Sequence, residues 1–347
     1  MRSMIKILKE NEVECRIFSN DQGNSFLVVP PFGARILAVS VEGENLFWTH
    51  PDIHKGQGGQ RTWISPEGGP KGFIFQPDWQ GNRDFSMMDP GNFQRQQDER
   101  GKRLVLSNSF TTVSNDQKEH YNLTVTREMG LEEDPLQFES GFENLNYQYL
   151  GIDFAHKLRN NSKTPLDRLL ALWCLIQVPP KGTMIVPVHE AEEGGGWRGN
   201  YFEPIPGDYV KSNPGSFSFY LHGSQRYKVG ISPETAKGGI CYLAKGTRED
   251  HFMVLMTFPV KPEARYVDKP KTEQESNGDA IQIYSHMEEG ALAFGELECH
   301  SWGLQLQPDD EKAFPIKIYL YKAPLDVLKK IGATLVCSEF YEAYIFD

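Results

Sequence analysis

The segment Ala291-Leu-Ala-Phe-Gly-Glu-Leu-Glu-Cys-His300 carries two carboxylates and an imidazole at every second position. An extended chain turns alternate side chains to opposite faces, so Glu296, Glu298 and His300 share one face while Leu297 and Cys299 share the other. Three ionisable groups in a row need solvent, partners or a ligand. Three readings meet that need: a solvated outer face, a cleft floor where a carboxylate and an imidazole move protons, or metal ligation by Glu and His.

A second constellation is Arg61-Thr-Trp-Ile-Ser-Pro-Glu-Gly-Gly-Pro70. In extended form Arg61, Trp63 and Ser65 share a side. A Trp face stacks on the apolar face of a pyranose, and Arg61 and Glu67 suit its hydroxyls; the plainer alternative is a structural loop held by an Arg61–Glu67 pair. Trp79 and Arg83, in Asp78-Trp79 and Arg83-Asp84, repeat this chemistry nearby. Gln177 ends the apolar run Leu172-Trp-Cys-Leu-Ile-Gln177, where it either bonds backbone or points into a pocket. Lys228 sits within Tyr227-Lys-Val-Gly-Ile231, where a charge is paired or functional.

Other chemistries are absent from the sequence. There is no G-x-S-x-G elbow, P-loop, dinucleotide glycine fingerprint or H-E-x-x-H. No cofactor or metal is therefore expected. The 347 residues carry 36 basic and 47 acidic side chains, a net charge of −11, which argues against a nucleic-acid partner. Five cysteines, an odd number scattered along the chain, read as free thiols. No apolar run is long enough for a membrane span and the first residues lack a signal-like apolar stretch, so a cytoplasmic protein is expected.

The elements that must position these residues are strands. Runs of period-two alternation punctuated by turn residues recur at 24–30, 33–41, 103–112, 121–129, 150–158, 166–178, 216–221, 227–231, 239–244, 252–258, 280–285, 291–300 and 313–321. Leu325–Ile331, after Pro324, reads as a helix. Residues 51–92 and 190–213 are rich in Gly and Pro, and read as long functional loops. With no linker or repeat, residues 1–347 are expected to form a single all-β domain with at most one or two short helices.

The stretch Gly33-Ala-Arg-Ile-Leu-Ala-Val-Ser-Val-Glu-Gly-Glu-Asn-Leu-Phe-Trp48 resembles the N-terminal meander of galactose mutarotase-like (aldose 1-epimerase-like) proteins. Gly58-Gly-Gln-Arg-Thr-Trp-Ile-Ser-Pro-Glu-Gly-Gly69 is similar to a signature of uncharacterised bacterial families of that fold, and Gly295–His300 falls where such families carry a terminal Glu strand. The resemblance implies a large antiparallel β-supersandwich with a concave sugar-binding face. It also implies a general base near the C-terminus, for which Glu298 stands in position, with His300 as its acid or orienting partner. The mid-chain His of true epimerases has no counterpart here, since the corresponding strand offers Gln177. The expected function is carbohydrate binding, by a small or oligomeric sugar, through Arg61, Trp63, Glu67, Trp79, Arg83, Gln177 and Lys228. Epimerase-like sugar processing and a non-catalytic binding or sensing module are the two alternatives.

Overall fold

The computed structural model describes residues 1–76, 84–96, 103–189, 196–273 and 275–343, so the expectations for Trp79 and Arg83 lie outside the described residues. Two ten-stranded sheets dominate. The first runs in the order Arg16–Ser19, Ser25–Val29, Arg35–Val41, Gln60–Ser65, Ala171–Val178, Phe294–His300, Ile281–His286, Tyr227–Ile231 and Trp197–Arg198, with the short Glu44–Asn45 strand on Arg35–Val41. The second runs Val210–Asn213, Ser216–Leu221, Gly182–Pro187, Gly239–Lys245, His251–Thr257, Glu311–Ala323, Gln148–Asn160, His120–Glu132, Leu104–Val113 and Gln94–Gln96. Neighbouring strands pair antiparallel, as at Trp173 opposite both Trp63 and His300 in the first sheet and Val254 opposite Leu320 in the second. The galactose mutarotase-like supersandwich expected from the sequence is the fold of this chain.

Alternation decides which side chains lie between the sheets. From the first sheet, Gln60, Thr62, Cys174 and Cys299 point inward and reach Arg127, His156 and Met256 of the second. The main apolar core, with Phe26, Ile64, Leu172, Leu297, Phe154 and Val254 among its members, fills this space. Arg61, Trp63, Trp173, Gln177, Glu296, Glu298 and His300 therefore face away from the second sheet. The outer face of the second sheet is covered by the helices Leu325–Leu335 and Phe340–Ala343, which bury Leu328, Ile331 and Phe340 against Leu243, Leu255 and Tyr321.

Three helices accompany the sheets among the described residues, where one or two were expected. Only the helix at Leu325 was read from the sequence; Phe340–Ala343 and Arg2–Glu10 were not, and Leu8 of the latter packs with Leu27, Val29, Leu37 and Ile53 on the flank of the first sheet. None of the described helices is long and apolar enough to cross a membrane. All five cysteines are free, three of them buried.

The region 51–92, expected to be loop throughout, contains a central strand, Gln60–Ser65. Glycine explains how the chain enters it. Gly58 and Gly59 have φ of +108° and +66°, in the left-handed region, and a Cβ on Gly59 would stand 2.1 Å from the Ile36 carbonyl oxygen. Here three backbone bonds tie together Trp48, Gly59 and Gln177: Gly59 N–H to Trp48 O, Trp48 N–H to Gln177 O, and Gln177 N–H to Gly59 O. Gly59→Ala is expected to lower unfolding free energy by more than about 1 kcal/mol, since both strain and collision oppose the new methyl group. Urea denaturation measures this; an unchanged midpoint would show that the close approach does not constrain the strand.

Candidate functional site

The outward face of the central strands divides into a cleft and a buried polar cluster behind it. The cleft, of about 730 Å³, opens at the Gly58/Phe294 end of the strands. Its lining includes Arg35, Arg61 and Gln177, with Trp63 and Phe85 towards one side and Trp48, His286 and Phe294 towards the other.

Each polar group of the cleft floor is anchored. Glu296 Oε1 accepts from Arg61 Nη2 and from Gln177 Nε2, both at 2.8 Å. Arg61 and Gln177 reach Glu296 from the same side because the three come from successive strands of the sheet, with Leu175 opposite Arg61 and Gln177 opposite Glu296. The pair is less than a tenth exposed, and its charges neutralise each other there. Asp89 accepts from Arg35 Nη2 at 2.5 Å and from Trp63 Nε1 at 2.7 Å. Arg61 also lies over the Trp63 ring, 4.3 Å from guanidinium carbon to ring centre. The Trp48 indole N–H is fixed on the Ala291 carbonyl at 2.9 Å, and its ring packs on Phe294.

Glu67, Glu298, His300 and Lys228 do not line this cleft. They form the buried cluster one pleat further along the same face. Lys228 Nζ lies 3.2 Å from Glu298 Oε2 and 3.3 Å from Glu67 Oε2, and Glu298 Oε2 accepts from the Trp173 indole at 2.9 Å. Glu298 is fully buried, and its second oxygen, Oε1, has no hydrogen-bond partner among the described residues. Burial pushes its carboxyl up to about 8 against the pull of Lys228, and that of Glu67 up to about 7 for the same reason. Lys228 is lifted above the ordinary ammonium range, because its two carboxylates outweigh desolvation.

His300 is also fully buried, stacked on Trp173 with ring centres 5.3 Å apart. Its Nε2 lies 3.1 Å from Gln282 Oε1 and its Nδ1 lies 3.3 Å from Ser65 Oγ. Gln282 spends its amide N–H groups on Asp268 and Tyr201, which turns its oxygen to the imidazole. The ring is thereby a neutral Nε2–H donor. Burial lowers its pKa to about 3, so it stays uncharged across the pH range in which an exposed His titrates.

The sequence expectations meet this geometry in different ways. Glu296, Glu298 and His300 do share one face. Arg61 and Trp63 lie in the cleft and Gln177 points into it. Lys228 is paired, as a charge within a strand requires. The Arg61–Glu67 pair does not form: Arg61 goes to Glu296 and Glu67 to Lys228, because cross-strand neighbours decide the partners. Asp89, Arg35, Trp48 and Trp173 were not singled out. An Arg at position 35, within an otherwise apolar strand, and the Asp89-Pro90-Gly91 turn after a charged segment were the available signals.

The buried cluster has a pH signature. The two carboxyls titrate near 4.5 when unfolded and near 7–8 when folded, so the folded state holds protons that the unfolded chain has lost. Their contribution to stability is therefore largest at low pH and falls as pH rises from about 4.5 to about 8. His300 acts oppositely: it costs stability as pH falls from 6.5 towards 3, because only the unfolded imidazole takes up a proton. Removing the ammonium should expose the carboxylates' burial cost. Lys228→Met is expected to lose about 3–5 kcal/mol at pH 9, where both carboxylates are ionised, and clearly less at pH 5. Urea denaturation at the two pH values tests this; an equal loss at both would show that charge pairing is not what Lys228 contributes.

Solved structures share this architecture at low sequence identity. A proposed aldose 1-epimerase from Escherichia coli K12 matches with a TM-score of 0.53 and 12% identity, covering 88% of this chain and 99% of that one. A galactose mutarotase-like protein from Lactobacillus casei ATCC 334 matches with a TM-score of 0.50 and 8% identity, over 88% of this chain and 100% of that one. The Slr1438 protein of Synechocystis sp. PCC 6803 gives 0.52 and 10%, over 90% and 96%. At such identities the likeness concerns the fold alone. No curated protein matches the sequence. Residues 2–340 match the model of a family of unknown function, DUF6786, and the chain belongs to that family.

Proposed function

We propose that this protein binds a carbohydrate in the cleft of about 730 Å³ on the first sheet, with residues 1–347 acting as one supersandwich domain. The observation that carries the reading is the joint lining of one cleft by aromatic rings and by polar groups that are already held in place. Trp63 and Trp48 have their indole N–H groups tied down, by Asp89 and by the Ala291 carbonyl. Fixed aromatic rings give contact area at little entropic cost. Arg61 and Gln177 are oriented by Glu296 and offer hydrogen bonds to hydroxyls. The galactose mutarotase-like fold of the chain agrees with this use of the concave face. Trp63→Ala is expected to abolish a saccharide-induced rise in melting temperature, read in a thermal-shift screen of common sugars. Retention of the full shift would move the binding surface elsewhere.

A second reading, sugar processing, is favoured by Glu298. A buried carboxyl with one oxygen unpartnered and its pKa brought up to about 8 is suited to proton transfer near neutral pH. In this reading Glu298 is the base. The acid role falls to the Glu67–Lys228 side of the cluster, because His300 is held as a neutral donor to Gln282 and serves to orient the cluster. Glu298→Gln keeps the shape and removes the base, so turnover of a sugar substrate should fall by about 10²–10⁴-fold with affinity nearly intact. Polarimetry and reducing-end assays follow the reaction. An unchanged rate would remove Glu298 from the mechanism. No turnover of any sugar by the wild type would leave binding as the activity.

A further inference from the structure

The dimensions and charge of the cleft say more about what fills it than the fold does. Its aromatic lining comes in two groups. Trp63, on the Gln60–Ser65 strand, has Phe85 beside it. Phe294 and His286 stack on each other from the Phe294–His300 and Ile281–His286 strands, and Trp48 packs on Phe294. The Ala171–Val178 strand, carrying Gln177, runs between the two groups. Strands in a sheet are about 4.8 Å apart and rise about 3.3 Å per residue; Trp63 stands level with His300, six residues along the strand from Phe294, so the backbones of the two groups are roughly 20 Å apart. That span exceeds a single pyranose ring. The volume of about 730 Å³ is likewise in the upper part of the range for ligands of drug size, about 300–1,000 Å³.

The floor between the aromatic groups is electrically balanced, and the exposed Lys55 is a further cation of the cleft's lining. Arg35 is paired with Asp89 and Arg61 with Glu296, so neither guanidinium calls for an anion from the ligand. Among its buried polar atoms, Arg35 Nε, Arg61 Nε and Gln177 Oε1 are closed off from solvent and have no hydrogen-bond partner among the described residues, two donors and one acceptor on side chains less than a tenth exposed. Hydroxyl groups donate and accept, and so complement both kinds of atom. A carboxylate or phosphate complements the donors alone and meets Asp89 and Glu296 just behind them.

We propose that the cleft takes a neutral oligosaccharide of at least two pyranose units, one against Trp63 and another against Phe294 and His286, with hydroxyls over the Arg61–Gln177 floor between them. This rests on the carbohydrate reading above and narrows it to a substrate class.

Calorimetric titration of the purified protein with glucose, galactose and mannose, and with their α- and β-linked di-, tri- and tetrasaccharides, tests it. At least one neutral series is expected to gain tenfold or more in affinity from the monosaccharide to the di- or trisaccharide. Phe294→Ala should remove that gain, bringing the longer ligand to within about threefold of the monosaccharide. His286→Ala, on the neighbouring strand of the same group, should reduce the gain and provides the check if Phe294→Ala does not fold. Monosaccharides binding as tightly as their oligomers would overturn the inference and leave the carbohydrate reading standing. Uronic or phosphorylated sugars binding more tightly than their neutral counterparts would overturn the neutral character. Absence of binding by every saccharide in the series would overturn both.

Discussion

The Arg61–Glu296 ion pair, closed by Gln177, is the interaction on which the open face of the first sheet depends. A charge removed from water must be compensated locally, and here the compensation comes from neighbouring strands in register. Because the pair spans three strands, it fixes where the cleft floor ends and where the buried cluster begins. On its open side lie the rings of Trp63 and Trp48; behind it lie Glu298, Lys228 and Glu67. The same rule shapes that second layer, where one ammonium serves two carboxyls and burial, against its pull, makes both hold protons more tightly.

The strand Gln60–Ser65 carries this arrangement from both of its faces. Outward it supplies Arg61 and Trp63. Inward it supplies Gln60 and Thr62, which bond Arg127 and His156 of the opposing sheet inside the sandwich. Arg127 is fully buried, with no carboxylate in hydrogen-bond contact among the described residues; its guanidinium is held by the Gln60 amide oxygen and the Gly33 carbonyl, and burial lowers its pKa to about 9. The inner polar layer thus locks the strand from beneath while Asp89 and Glu296 lock its outer side chains. Rigid placement of Arg61 and Trp63 follows from the sandwich itself, which is the form of support a preorganised binding surface needs.

Much of this was legible in the sequence because β structure repeats every two residues. The shared face of Glu296, Glu298 and His300, the strands Ser216–Leu221 and Tyr227–Ile231, and the supersandwich resemblance all follow from short-range pattern. Pairing partners do not. Arg61 meets Glu296 across 235 positions of sequence, and no local signal favours that residue over the nearby Glu67. The strand at Gln60–Ser65 was hidden by its flanks, Gly58-Gly59 before it and Pro66 after it, which punctuate like a loop although the glycines serve a close backbone approach. Burial was equally hidden: His300 reads as a near-neutral titrating group, and only the stacking on Trp173 and the bond to Gln282 show that it stays uncharged.

The cleft residues and the proton-holding groups lie in adjacent layers of one sheet face, where the sequence alone had merged them into one cleft. In the proposed function, binding belongs to Arg61, Gln177 and the two aromatic groups, the surface a saccharide would touch. The most direct measurement is a crystal structure of the protein with a saccharide that stabilises it in solution. The account predicts ordered sugar density between Trp63 and Phe294, with hydroxyls over Arg61 and Gln177. Density instead at the pocket bordered by Lys71, Arg168, Arg265 and Lys269, at the other end of the same strands, would contradict it.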